Sequence, residues 1–262
     1  MRQRYRWMIG VALASGLAGC KHDAALKQEA AKPEETRPVA RPLDPATLGA
    51  VAGVVKFVGK PPARIPIDMS QDPACGMSGE GAHDSEQYVV QAGALENVYV
   101  YVKSGPAAAM NAPAMQSTPV VMDQKGCRYL PHVIAVMQGG AVEFRNSDIT
   151  MHNIHTMPDV AGQKMVDVSQ GPKGAPQVAH FDKPEVMMPV RCNNHPWMNA
   201  FVNVSATPFF ALTDSEGKFL IQGLPAGDYV LGAVQEKMGE QTMPLTVQPH
   251  QTAKADFSYS MQ

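Results

Sequence analysis

Long helices, membrane-length apolar runs and positive charge are all scarce in this sequence. Stretches with the apolar spacing of an amphipathic helix are missing, and residues 87–95 come nearest to one. The longest apolar run, residues 7–18, falls short of the roughly 20 residues a permanent membrane-spanning helix needs. The formal net charge is −2. Removing residues 1–19 takes away Arg2, Arg4 and Arg6, and three fewer positive charges bring it to −5. That balance excludes the basic patch on which nucleic-acid binding depends. Cysteine is rare as well, with four in 262 residues, so each one needs an account.

The N-terminus reads MRQRYRWMIGVALASGLAGC, a basic start followed by a short apolar run, which is the pattern of a secretory signal. Its end, Leu17-Ala18-Gly19-Cys20, resembles the bacterial lipoprotein lipobox. The resemblance implies cleavage after residue 19, lipidation of Cys20 and a membrane-anchored periplasmic protein. Lys21 is not the acidic residue of an inner-membrane retention signal, which slightly favours the outer membrane. Residues 20–48 are rich in Pro, Ala and charge without apolar periodicity, so they read as a disordered tether. Thirty such residues reach about 30 Å.

The remaining part is expected to be all-β. Glycine and proline each number 22, and short β-branched runs at 51–59, 97–103, 132–146, 201–205, 218–234 and 244–248 alternate with turns. Cys75 and Cys127 lie in turn-like segments 52 residues apart. In an oxidising compartment they are expected to bridge, stabilising by about 4 kcal/mol in the loop-entropy account. The alternative pairs one of them with Cys192. On the first pairing Cys192 is left as an odd thiol.

Cys192 opens the run Cys192-Asn193-Asn194-His195-Pro196-Trp197-Met198. A thiolate, an imidazole and a thioether three residues apart are three of the four donors of a blue-copper site, which still needs a second imidazole. Upstream, residues 141–156 read AVEFRNSDITMHNIHT: an apolar strand, a polar turn, then His-Asn-Ile-His. Together the two motifs resemble the cupredoxins of the amicyanin/plastocyanin kind over residues 116–206, as a Greek-key β-sandwich. The resemblance implies one type 1 copper held by His152, Cys192, His195 and Met198, with Asn153 bracing the ligand loops. It also implies electron transfer to a redox protein that docks on an apolar patch at Pro196 and Trp197 beside His195, with Met151, Met157 and Pro158 nearby. Strand alternation places His152 and Ile154 on one face and His155 on the other, facing solvent. His132 and His180 read as structural, and methionines such as Met137, Met187 and Met188 as core filler.

The flanking residues have their own resemblance. The marks T-D-x-x-G-x-F, G-L-P-x-G-x-Y and a later V-x-V in residues 213–248 are similar to the carboxypeptidase regulatory-like, or prealbumin-like, β-sandwich. Residues 49–59 and 95–103 look like its opening strands. The expected organisation is therefore one discontinuous sandwich, residues 49–115 and 207–262, interrupted by the cupredoxin at 116–206. The alternative is two domains in a row, the cupredoxin carrying an N-terminal extension. Neither sandwich offers a catalytic constellation. Cys192 lacks the flanking histidines of multicopper oxidases and copper nitrite reductases, and the loop lacks the second cysteine of a dinuclear centre. The expectation is an electron carrier rather than an enzyme. A copper-delivery lipoprotein, with the metal as cargo, is the alternative.

Overall fold

The computed structural model of the chain describes residues 43–76, 83–113 and 118–261. The expected signal sequence, Cys20 and the expected tether up to residue 42 lie outside the described residues. The Asp44 carboxylate accepts the Ala46 amide at 3.0 Å and caps a 3-10 turn, Pro45–Thr47. Regular structure therefore starts inside the stretch whose composition reads as tether.

The first strands are β1 (Leu48–Phe57), β2 (Val90–Gln91), β3 (Ala94–Leu95) and β4 (Tyr99–Ser104), with a single helical turn, α1 (Pro73–Gly76), between β1 and β2. Next come α2 (Ala107–Met110), β5 (Val120–Gln124), β6 (Tyr129–Leu130), β7 (Val133–Met137), β8 (Ala141–Asn146) and β9 (His152–Thr156). The same region continues with β10 (Asp167–Gln170), β11 (Gln177–His180), β12 (Glu185–Arg191) and β13 (Asn199–Ser205). The last group is β14 (Phe210–Leu212), β15 (Lys218–Pro225), β16 (Gly227–Gln235), β17 (Gly239–Val247), β18 (Thr252–Lys254) and β19 (Phe257–Tyr259). The described chain is all-β apart from these short turns, and its residues form four sheets.

Two of those sheets come from the chain's two ends. One holds β15, β1, β3 and β2, with β18 and β19 also paired to β1; the other runs β14-β4-β16-β17. Between them lies a core that includes Val55, Leu95, Val100, Phe219, Leu231 and Tyr259. Strand β1 pairs in parallel first with β18 and then with β19. At the changeover Gly53 lets the Ala255 carbonyl pass; a Cβ there would stand 1.7 Å from that oxygen. We call this the host sandwich. The other two sheets, β10-β9-β12-β13-β7 and β11-β8-β5-β6, enclose a separate core built on Met122, Phe144, Ile154, Met188 and Val202. β4 and β14 are antiparallel neighbours, so the chain leaves the host sandwich on one strand and re-enters it on the adjacent one. The inserted sandwich lies between.

Residues 90–95, within the stretch that comes nearest to a helical pattern, form the β2–β3 hairpin. Its turn places Ala92 at φ 50 and Gly93 at φ 80, the left-handed pair that a two-residue hairpin turn demands. Residues 69–76 follow the host strand β1 but pack against the inserted sandwich, where Cys75 is buried and Met69 lies against its core.

Candidate metal centre

Two turns aim the ligand side chains. At the end of β8, the Asn146 side-chain amide donates to the carbonyls of Thr150, Gln170 and Gly171 at 3.0, 3.1 and 2.9 Å. Its carbonyl oxygen accepts the Asp148 amide at 3.0 Å. This pins the polar turn and delivers His152 as the first residue of β9, its side chain directed inward. The second turn joins β12 to β13. The Cys192 amide donates to the Met198 carbonyl at 3.2 Å and the Met198 amide to the His195 carbonyl at 2.9 Å, closing residues 192–198 into a tight loop. His152, Cys192, His195 and Met198 are 0, 4, 3 and 1 % exposed.

One nitrogen from each of His152 and His195 and the Cys192 sulfur lie within 4.8 Å of one another. The two Nδ1 atoms are 3.0 Å apart, and the His195 Nδ1 is 3.5 Å from Cys192 Sγ. The outer nitrogens explain this orientation. His152 Nε2 lies 2.8 Å from an Asp148 carboxylate oxygen, and His195 Nε2 lies 2.8 Å from an Asp72 carboxylate oxygen. A carboxylate only accepts, so each ring donates from Nε2 and, in its neutral form, points an Nδ1 lone pair inward. Two imidazole lone pairs and a sulfur converge in a dry pocket, an arrangement that costs free energy unless a cation sits among them. Two nitrogens and a thiolate are donors that suit copper, and the Met198 thioether is buried on the same loop.

The titration of the metal-free groups follows from the same contacts. Burial opposes charge on Cys192, but hydrogen bonds from His152, the Asn153 and Asn194 amides and His195 bring the thiol down to about 6. Burial likewise lowers His152, yet the Asp148 carboxylate and the Cys192 sulfur outweigh it and raise the imidazole to about 8. The Asp148 carboxyl is held below its usual range, since His152 and the amides of Cys127 and Gly126 overcome its burial.

Asn153 is buried and makes three links. Its amide donates to Cys192 Sγ at 3.3 Å, its side-chain nitrogen to Asp167 at 2.9 Å, and its side-chain oxygen accepts the Asn193 amide at 3.4 Å. Tyr129 donates to the Asn153 carbonyl from below. Cys75 and Cys127 are joined in a disulfide, and Cys192 is a free, buried thiol.

His155 lies outside the cluster, half-exposed, with its Nδ1 2.9 Å from the Asn193 side chain. His132 is buried and bridges the two sandwiches, 2.7 Å from Glu236 and 3.2 Å from the Asn199 carbonyl. His180 is exposed and contacts the Gly139 carbonyl at 3.2 Å. Met137 and Met188 fill the core, but Met187 sits half-buried on a bulge of β12 with φ 52. It is not core filler.

The surface over His195 differs from a bare apolar patch. Asp72 covers the ring's outer edge, and the cavity there, about 330 Å³, is lined by Gln71, Pro73, Thr150, Met151, Asn194 and Trp197 as well. Pro196 is exposed. Trp197 is half-buried, its indole N–H donating to the Cys127 carbonyl at 3.1 Å and its ring centroid 5.1 Å from that of His195. Sequence reasoning missed the two carboxylates. Asp148 stands four residues before His152, and Asp72 three before Cys75; each spacing was a signal only once the turn and the bridge were known.

No protein-family model matches the chain, and no curated protein is detectably similar to it. Solved structures match part of it. A methionine variant of amicyanin in its Cu(I) form aligns at 20% identity and a TM-score of 0.31, covering 40% of this chain and 98% of its own. A purple cupredoxin from Nitrosopumilus maritimus aligns at 20% identity and 0.27, covering 33% of this chain and 99% of its own. A copper-containing nitrite reductase from Thermus scotoductus SA-01 aligns at 26% identity and 0.31 over 36% of this chain. The chain spans only 24% of that reductase.

Proposed function

We propose that this chain is an electron-transfer protein with one type 1 copper ion, held by His152, Cys192 and His195 with Met198 as the weak fourth donor. The observation that carries the reading is the convergence of two Nδ1 atoms on the Cys192 sulfur while both Nε2 atoms are bound to carboxylates. Copper bound there supplies a one-electron couple.

The protein's own residues make such a couple workable. Asn153 holds the thiolate and the ligand loop, Asp148 and Asp72 hold the rings, and the burial of all four donors keeps water out. Donors fixed before and after transfer leave little to reorganise. The partner is a redox protein that docks where Met151, Pro196 and Trp197 meet the surface near His195, through the small interface typical of redox encounters. The protein is anchored through lipidated Cys20 in a bacterial periplasm, with the outer membrane as the favoured site.

The visible spectrum of the purified protein with copper(II) tests the centre. An intense thiolate-to-copper band is expected, and a colourless copper complex would sink the type 1 reading. Membrane anchoring is tested separately by Cys20→Ala, which should release the protein from the membrane fraction. Met151, Met157 and Met165 are exposed and favour a second reading, copper delivery. Rapid loss of bound copper to a chelator would support it, whereas an inert, reversibly reducible centre supports electron transfer.

A further inference from the structure

Residues 69–76 belong in sequence to the excursion between host strands β1 and β2, yet they lie on the inserted sandwich. They are fastened there by the Cys75–Cys127 disulfide, by Met69 against the inserted core and by Asp72. Asp72 is itself fixed: Oδ1 accepts the Ala74 amide at 2.8 Å, while Oδ2 takes His195 Nε2 at 2.8 Å and the Thr150 hydroxyl at 3.3 Å. On the other side of the bridge, the Cys127 amide and that of Gly126 donate to Asp148 at 2.8 Å each, and Asp148 holds His152. Both half-cystines therefore lie beside a carboxylate that orients one of the two imidazoles. Trp197 closes the arrangement, with its ring against His195 and its indole N–H on the Cys127 carbonyl.

We propose that Asp72 is a positioning residue supplied to the copper centre by the host sandwich's own chain, and that the Cys75–Cys127 disulfide is the clasp that keeps it on His195. His195 lies on the surface loop and has no partner of its own on Nε2 within residues 118–261. Without Asp72 the ring has no fixed acceptor for its Nε2 proton. The proton then distributes between both nitrogens, and the Nδ1 lone pair no longer points permanently at Cys192. The other imidazole does not share this dependence, since Asp148 comes from the same turn as His152. The proposal rests on the copper reading for its consequence, but its geometry can be tested with no metal present.

Nitrogen-15 NMR of the histidine rings in the metal-free protein reads the tautomers directly. In the wild type, His195 is expected to show a single species protonated at Nε2. In Asp72→Ala that single species should be lost, its two ring-nitrogen shifts moving toward one another, while His152 keeps its proton on Nε2, where Asp148 holds it. Asp72→Asn, whose side-chain oxygen still accepts, should restore the His195 pattern. Dithiothreitol reduction of the bridge needs no substitution and should reproduce the Asp72→Ala pattern at His195. Copper affinity in Asp72→Ala should fall 10- to 100-fold, the usual loss when a ligand's hydrogen-bond partner is removed. His195 signals unchanged in Asp72→Ala would overturn the positioning role. Signals unchanged on complete reduction would overturn the clasp. Failure of the wild type to bind copper at all would leave both NMR results standing and remove only the functional reading above.

Discussion

Tyr229 in the host sandwich and Cys192 in the inserted one are both buried, yet their titration moves in opposite directions. Burial alone pushes the Tyr229 phenol up to about 12; its hydroxyl donates to the Pro225 carbonyl. Cys192 is brought down to about 6 by the donors arranged around it. The same contrast holds across the two cores. Of the fifteen buried polar or charged residues among those described, twelve lie between Gln124 and Ser205, and only Thr207, Thr213 and Gln235 lie in the host. The host sandwich is held by apolar burial and a few hydrogen-bonded hydroxyls. The inserted sandwich buries hydrogen-bonded polar groups, among them Gln124 with Gln170, His152 with Asp148, and Asn153 with Cys192 and Asp167, and such a network stays favourable only while its members are partnered. Such a network is worth keeping where it holds a ligand set.

The contrast can be broken most sharply at the thiolate. Replacing Cys192 with Ser exchanges a soft donor for a hard, protonated oxygen, so the colour should vanish and copper affinity fall steeply. His152→Ala should also abolish the colour. His155→Ala should spare it, since that ring meets Asn193 outside the cluster. If His155→Ala bleaches the protein while His152→Ala does not, the ligand set is wrong. Absorption spectra of the three variants decide it.

The bridge comes next in magnitude. It closes a loop of 52 residues and, in the loop-entropy account, contributes about 4 kcal/mol. Because it ties the host excursion to the inserted sandwich, its removal in Cys75→Ala/Cys127→Ala should split one calorimetric transition into two. A single transition shifted as a whole would mean that the interface around His132 and Glu236 couples the sandwiches without help.

A cut in the host core should do the reverse. Leu231 is fully buried there, and Leu231→Ala should destabilise by about 3 kcal/mol through lost burial and an unfilled cavity. The spectrum of the copper form should not change. A shifted band would show that the host core, and not only residues 69–76, shapes the site.

The metal-free protein offers a smaller effect. Cys192 has its folded value lowered from 9 to about 6, so its contribution to stability is present above pH 9 and lost as pH falls through about 6. His152 has the opposite sign: raised from 6.5 to about 8, it contributes below pH 6.5 and loses that contribution as pH rises through about 8. Thiolate absorbance should accordingly appear with a midpoint near pH 6, and His152→Ala should move that midpoint upward. A midpoint that stays near 6 in the variant would assign the shift to the backbone donors and His195.

How much of this was legible in the sequence follows from the range of each interaction. The strands were readable because alternation and turn residues are local, and the ligand loop because three donors fall within seven residues. Residues 87–95 were not, since a left-handed Ala-Gly turn leaves no apolar period to detect. The cover on His195 was hidden for a different reason. Asp72 reaches its partner across 123 positions, and a lone aspartate before a proline looks like any loop residue until the bridge brings it over. A sequence-based patch of Pro196 and Trp197 beside a bare histidine edge was the natural expectation. The carboxylate that occupies that edge is a property of the tertiary structure alone.

The smallest expected change is at Met198. Its sulfur belongs to a side chain that is 1 % exposed, and its backbone closes the ligand loop on both sides, through Cys192 and His195. Replacing it with Leu removes the proposed axial donor while keeping volume and burial close to the original, a change that costs little stability. The backbone bonds that close the loop do not depend on the side chain. The three strong donors should therefore hold their places, so the colour should persist and the reduction potential should shift, since the axial ligand tunes it. Voltammetry of the variant beside the wild type measures that shift. An unchanged potential would mean that the Met198 sulfur is core packing like Met188 and not a donor, leaving the site with three ligands.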